Sequence, residues 1–142
     1  MTFGGSTTKA NNTPAHPKKR QNREDTEQIA LIEWASWHSF NGGKLSDYLH
    51  HSPNGGSRNI VEATKFKRMG VLAGFPDLFL FVARGGYHGL FIELKAKGGR
   101  VSKAQADMIA RLQEAGYLCC VCFGANSAIE TIKAYLELRD MT

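Results

Sequence analysis

Apolar residues return every three or four positions between Thr26 and Phe40 (Ala30, Leu31, Trp34, Ala35, Trp37), which predicts a helix capped by Asp25 or Thr26. The period is lost over 41–57, where four glycines and Pro53 predict mostly loop, with a short strand near Tyr48–His51. A second helix is expected from about Arg58 to Met69, stopped by Gly70. Two strands are expected next, Leu78–Val82 and Leu90–Ala96, joined through Gly85-Gly86. Ser102–Ala115 reads as a helix, with Ser102-x-x-Gln105 as capping box and Gly116 as stop. Tyr117–Phe123 is a short apolar strand, and Asn126 to about Leu138 a last helix. The order α-β-α-β-β-α-β-α predicts an α/β fold with a mixed sheet flanked by helices.

Against this pattern a few polar residues stand on apolar faces. Glu27 precedes Leu31 by four residues and Trp34 by seven, so it falls within the apolar arc of its helix. A carboxylate aimed at a core costs several kcal/mol unless a cation or hydrogen-bond donors meet it. Two readings follow: a first-turn acid favoured by the helix dipole, or a site residue. Gln105 stands in the same relation to Ile109 and Leu112, and is either a cap or a site residue. In Phe91-Ile92-Glu93-Leu94-Lys95, the two-residue period puts Phe91, Glu93 and Lys95 on one face and Leu90, Ile92 and Leu94 on the other. Alone, E-x-K on a strand also describes a solvated face. Here Gly74-Phe75-Pro76-Asp77 places an acid at the start of the preceding strand, with Pro76 holding Phe75 extended. If the strands are neighbours, Asp77 and Glu93 converge on one divalent ion such as Mg²⁺, which takes a couple of carboxylates plus waters and a phosphate. Lys95 would then lie beside that phosphate.

The charge distribution adds a partner class. The chain of 142 residues carries a formal +5, concentrated in residues 1–23 (+5, no acid) and 65–103 (+6), while 24–64 is −4. This suits a polyanion, nucleic acid first. Residues 1–23, rich in Gly, Ser, Thr, Asn, Pro and Lys, read as a flexible basic arm before a domain over 24–142. No run of eighteen apolar residues predicts a membrane span, and no apolar stretch near the N-terminus reads as a secretory signal. The expected location is therefore cytoplasmic. Cys119, Cys120 and Cys122 fit neither a disulfide framework nor a zinc spacing and read as core.

Pro76-Asp77 followed by Glu93-Leu94-Lys95 resembles the PD-(D/E)XK nuclease superfamily, and more narrowly its VRR-NUC family, in the stand-alone type found in phages and bacteria. The resemblance covers most of 25–138. It includes Glu27, His51-x-Pro53-Asn54 with Gly55-Gly56 and Arg58, Gly70-x-x-x-Gly74-x-Pro76-Asp77, Glu93-x-Lys95, Ser102-x-x-Gln105 and Gly116-Tyr117. It implies a restriction-endonuclease-like fold and a Mg²⁺- or Mn²⁺-dependent endonuclease hydrolysing DNA phosphodiesters. By similarity Asp77, Glu93 and the Leu94 carbonyl would ligate the metal. Glu27 would hold a water of the metal's shell or a second ion. Lys95 would orient the attacking water and stabilise charge on phosphorus, and Gln105 would support the metal shell or a backbone phosphate. Asn54, Arg58, Lys97, Arg100 and Lys103 are the expected DNA contacts. Stand-alone relatives are homodimers acting on branched DNA such as Holliday junctions or flaps, in repair or recombination.

Other residues invite functional readings that the sequence favours less. Trp34 and Trp37 suit core or dimer packing better than base stacking, and His50, His51 and His88 read as structural. The alternatives to the main reading are a sequence-directed restriction-type nuclease of the same fold, and a DNA-binding or assembly module without turnover.

Overall fold

The computed structural model describes residues 17–53 and 59–140. Helix α1 spans Pro17–Trp37, so it begins well before the expected Thr26, and residues 17–23 are helical where a flexible arm is expected. Pro17 is a good first helical residue, and no glycine or second proline interrupts the chain before Trp37. The rest of the expected arm, residues 1–16, lies outside the described residues.

The stretch after α1 is more ordered than its glycines suggest. Strands β1 (Ser39–Phe40) and β2 (Gly43–Lys44) form a tight hairpin. Its turn residues Asn41 and Gly42 both have positive φ, 47° and 77°. Asn-Gly is the preferred pair for such a turn, so this hairpin was legible in the sequence. A 3-10 turn (Leu45–Tyr48) leads into β3 (Leu49–His51). Helix α2 (Ile60–Arg68) starts where the Asn59 side chain accepts the Glu62 N–H at 2.7 Å. Then come β4 (Leu78–Leu80), β5 (Leu90–Lys95), α3 (Lys103–Glu114), β6 (Leu118–Phe123) and α4 (Ala125–Leu136).

The sheet order is β3-β4-β5-β6, antiparallel except for the parallel β5–β6 pair. This is the expected mixed sheet flanked by helices, of the restriction-endonuclease-like type. One face packs on α1 and α4, where Leu78, Leu80, Leu90, Ile92 and Leu94 meet Leu31, Ala35, Ala128 and Ile132 in one core. The Tyr135 hydroxyl of α4 donates to the Val82 carbonyl at 2.5 Å, tying the helix to the chain just beyond β4. Aromatic rings gather on the other face: Phe91 stacks on Phe79 (centroids 4.3 Å apart) and meets Phe75 and Tyr117 edge-on. Cys122 is in the core and Cys119 and Cys120 are half-buried, so the cysteine strand is structural. Trp34 is half-buried against His38, whereas Trp37 is 89 % exposed and belongs to no core. Among the described residues no helix is long and apolar enough to cross a membrane.

Candidate active site

Strand β5 is buried on both faces, so the alternation read from sequence does not separate core from solvent; it separates two interiors. Leu90, Ile92 and Leu94 enter the apolar core, while Glu93 and Lys95 point the other way yet stay buried, Glu93 to 3 % exposure. A carboxylate and an ammonium in that position must answer each other or bind something. Lys95 Nζ lies 3.3 Å from Glu93 Oε1. The same oxygen accepts from Gln105 Nε2 at 2.8 Å, while Glu93 Oε2 is buried without a hydrogen-bond partner.

Asp77 enters from the start of β4, whose register places Leu78 opposite Ile92. Its Oδ2 accepts the Leu94 backbone N–H at 2.8 Å, so the acid is locked to the centre of the E-x-K triplet. Burial raises Asp77 above its ordinary value, opposed by the Leu94 N–H and by the charge of Lys95. Burial, together with the neighbouring charge of Asp77, pushes Glu93 up to about 7. The half-buried Asp77 and the buried Glu93, with Lys95 as the paired cation, are carboxyls that could hold a divalent cation. The orphaned Glu93 Oε2 is the atom that such an ion would satisfy. Among the described residues no three of His, Cys, Asp and Glu converge as a complete metal cage. A carboxylate pair suits Mg²⁺ or Mn²⁺, of which Mg²⁺ keeps several waters.

Gln105 resolves the choice between cap and site by doing both. Its Oε1 accepts the Ser102 N–H at 2.9 Å and its Nε2 donates to Glu93. The reciprocal bond, Gln105 N–H to Ser102 Oγ, completes the capping box at 3.2 Å. Glutamate could fill the box equally well, but only the amide also offers a donor to the buried carboxylate. Gly74 brings this turn of α3 to the site. It has φ +74°, and a Cβ there would lie 2.4 Å from the Ala104 carbonyl atoms, so only glycine permits the approach.

Helix α1 contributes acids on two sides. Glu24, Asp25 and Gln28 line a small hollow of about 70 Å³ together with His51, Asp77 and Leu94. Glu24 Oε1 also makes a long 3.4 Å contact to the Ala96 N–H. Glu27 points elsewhere: its Oε2 accepts the Ala125 N–H at 2.5 Å, at the first turn of α4. The α4 N-cap is Gly124, with φ +92° and no side chain, so the capping acceptor comes from α1, 98 residues away in sequence. The α1 acids that share the Asp77 hollow are therefore Glu24, which the sequence reading did not single out, and Asp25, which it reads only as a helix cap. Positions 24 and 28 are one turn apart, which was the available signal. His51, part of the family resemblance, otherwise reads from the sequence as mainly structural. The structure places it on this hollow, with Nδ1 3.0 Å from the Asp77 carbonyl and necessarily the donor.

Of the expected DNA contacts, Lys97 and Arg100 are exposed beside the end of β5, and Lys103 pairs with Asp107 at 2.8 Å. Asn54 and Arg58 lie outside the described residues. His50 is exposed, and His88 sits in a turn, its N–H donating to the Gly116 carbonyl at 2.9 Å.

Taken together, a mixed sheet carrying a half-buried Asp and a buried Glu-x-Lys at the junction of two adjacent strands fits the nuclease class. Residues 16–126 match the VRR-NUC domain, and the chain belongs to that family. A solved structure titled "VRR_NUC domain protein" is 41% identical, with a TM-score of 0.76 over 84% of this chain and 93% of that one. No curated protein matches the chain.

Proposed function

We propose that the chain is a divalent-metal-dependent DNA endonuclease, selective for branched DNA such as Holliday junctions or flaps. The observation that carries this reading is the buried Glu93, paired with Lys95, bonded by Gln105, and left with one oxygen unsatisfied beside Asp77. Such an arrangement destabilises a protein that makes no use of it.

Mg²⁺ or Mn²⁺ bound by Asp77, Glu93 and the Leu94 carbonyl would supply Lewis-acid stabilisation of a phosphoryl oxygen and an acidified water. Lys95, already oriented by Glu93, offers a fixed cation to the charge that develops on phosphorus. Gln105 keeps Glu93 in place through its amide. Glu24 and His51, on the rim with Asp77, are placed to hold waters there. Glu27 acts as the tertiary cap of α4. Lys97 and Arg100 extend the cationic surface from the end of β5 toward a DNA backbone. Homodimerisation belongs to the same reading. The exposed Trp37, the Ile60 and Val61 side chains on a helix α2 with no buried residue, and Met69 at its C-cap, are apolar surface that a second copy would cover.

The test is cleavage of labelled linear duplex, single strand, flap and four-way junction with Mg²⁺, Mn²⁺ or EDTA, beside Lys95→Ala. Cutting concentrated on a branched substrate is expected, abolished by EDTA and reduced about 10²–10³-fold in the variant, the scale for losing one preorganised charge-stabilising group. Folded wild-type protein that binds DNA but cuts none of the four with either metal overturns the enzyme reading.

A further inference from the structure

A second hollow, of about 270 Å³, opens on the other side of α1 and is lined by Arg23, Glu27, Ala96, Lys97, Phe123 and Gly124, among others. Its volume is close to the lower end of small-ligand pockets, roughly 300 Å³. The chemistry is the reverse of the Asp77 hollow. Two exposed cations stand on it, one from α1 and one from the end of β5, and among the described residues neither is in an ion pair. Its acid, Glu27, is bound by the Ala125 N–H at the positive end of α4 and so is partly neutralised.

Phe123 gives the hollow a specific use. It is 53 % exposed although it closes a strand whose other residues are buried or half-buried. In the parallel β5–β6 register it lies opposite Lys95, so the ring leaves the same face of the sheet one strand away from the candidate catalytic lysine. Neighbouring strands are about 4.8 Å apart. An exposed ring flanked by cations, one strand over from a cleavage centre, is how proteins hold single-stranded nucleotides: the aromatic stacks on a base and the cations take the adjoining phosphates. A paired base in a continuous duplex has both faces covered by its neighbours, so only an unpaired or unstacked base can use the ring.

We infer that the Arg23–Lys97–Phe123 hollow seats one unpaired DNA nucleotide beside the phosphate to be cut. This rests on the DNA-binding part of the function proposed above, and it supplies a physical basis for preferring branch points, where bases come free of the stack.

The test is binding in EDTA, where no cleavage intervenes, by fluorescence anisotropy on two labelled DNAs: a duplex with a short single-stranded flap and the continuous duplex of the same sequence. Phe123→Ala is expected to weaken flap binding about 10-fold, within the range for one base–aromatic stack, and duplex binding less than twofold. Phe123→Trp is expected to retain the flap preference. A 2-aminopurine at the first unpaired position should be quenched by wild type and not by Phe123→Ala. Because the ring is exposed, the variant should fold, which a thermal melt checks. Equal losses on both DNAs, or none on either, overturn the inference. Flap preference that depends on Phe123 in a protein that never cuts removes the nuclease reading and leaves this one. Cutting that needs Lys95, with flap binding indifferent to Phe123, does the reverse.

Discussion

Glu24, Asp25 and Gln28 line the smaller hollow with Asp77, whereas Arg23 and Glu27, from the same two turns of α1, line the larger one with Lys97 and Phe123. The end of β5 borders both, through Leu94 on one side and Ala96 on the other. One helix serves two electrostatic environments because each residue turns its side chain by about 100° from the last. On the proposed function, the acidic side would take the cation and the cationic side a polyanion's backbone, and their adjacency would let a phosphate be gripped and attacked across the width of one helix. The single carboxylate on the cationic side, Glu27, is occupied by the α4 N-terminus. The acids on the other side face Asp77.

This contrast can be broken most severely at Gln105. Gln105→Glu keeps an acceptor for the Ser102 N–H but sets a carboxylate where the amide now donates to Glu93 at 2.8 Å. Loss of a hydrogen bond to a charged group together with like-charge repulsion is expected to cost about 2–3 kcal/mol at pH 8. Chemical denaturation at pH 8 and pH 5 checks it, the deficit shrinking at pH 5 where the acids share protons.

The next largest effect separates the two α1 acids. Glu24→Gln is expected to weaken Mn²⁺ binding about 10–100-fold, the scale of outer-shell partners, by calorimetric titration. Glu27→Gln should leave Mn²⁺ affinity within twofold and lower stability by about 1 kcal/mol, the worth of a helix cap. The reverse pattern would move the metal to the α4 side and dissolve the contrast.

The smallest effect is in pH. Glu93, pushed up to about 7, is raised in the folded state, so the metal-free fold binds a proton that the unfolded chain releases near pH 4.5. The stability that Glu93 contributes is therefore fullest below pH 4.5 and declines as pH rises toward 7. Asp77 shifts in the same direction. Metal binding needs both acids ionised, so stabilisation by Mn²⁺ should grow across that window. Thermal melts with and without Mn²⁺ at pH 5, 6, 7 and 8 should show a widening gap. A gap constant with pH would place the ion away from Glu93.

The sequence predicts most elements and their order, because periodicity, the Ser102-x-x-Gln105 box and the glycine stops are local physics; the exceptions are the β1–β2 hairpin and the first turns of α1. It also identified Asp77, Glu93 and Lys95 as polar residues needing a partner, since polarity on a strand between apolar residues shows without coordinates. It placed Glu27 in an apolar arc and offered a helix-dipole role for it. The dipole it meets belongs to α4, and only the packing of α1 against α4 could decide that. Gln105 was legible as cap or site residue; that it is both depends on Gly74 letting α3 approach. Glu24 and His51 carried little signal, the first only its one-turn spacing from Gln28, because a helix acid and a strand-end histidine are ordinary in sequence. The β3–β4 pairing and the packing of α1 bring them to Asp77, and the parallel β5–β6 pairing brings Phe123 to the side of Lys95. Those are contacts between residues far apart in the chain, set by how the layers pack rather than by local preference.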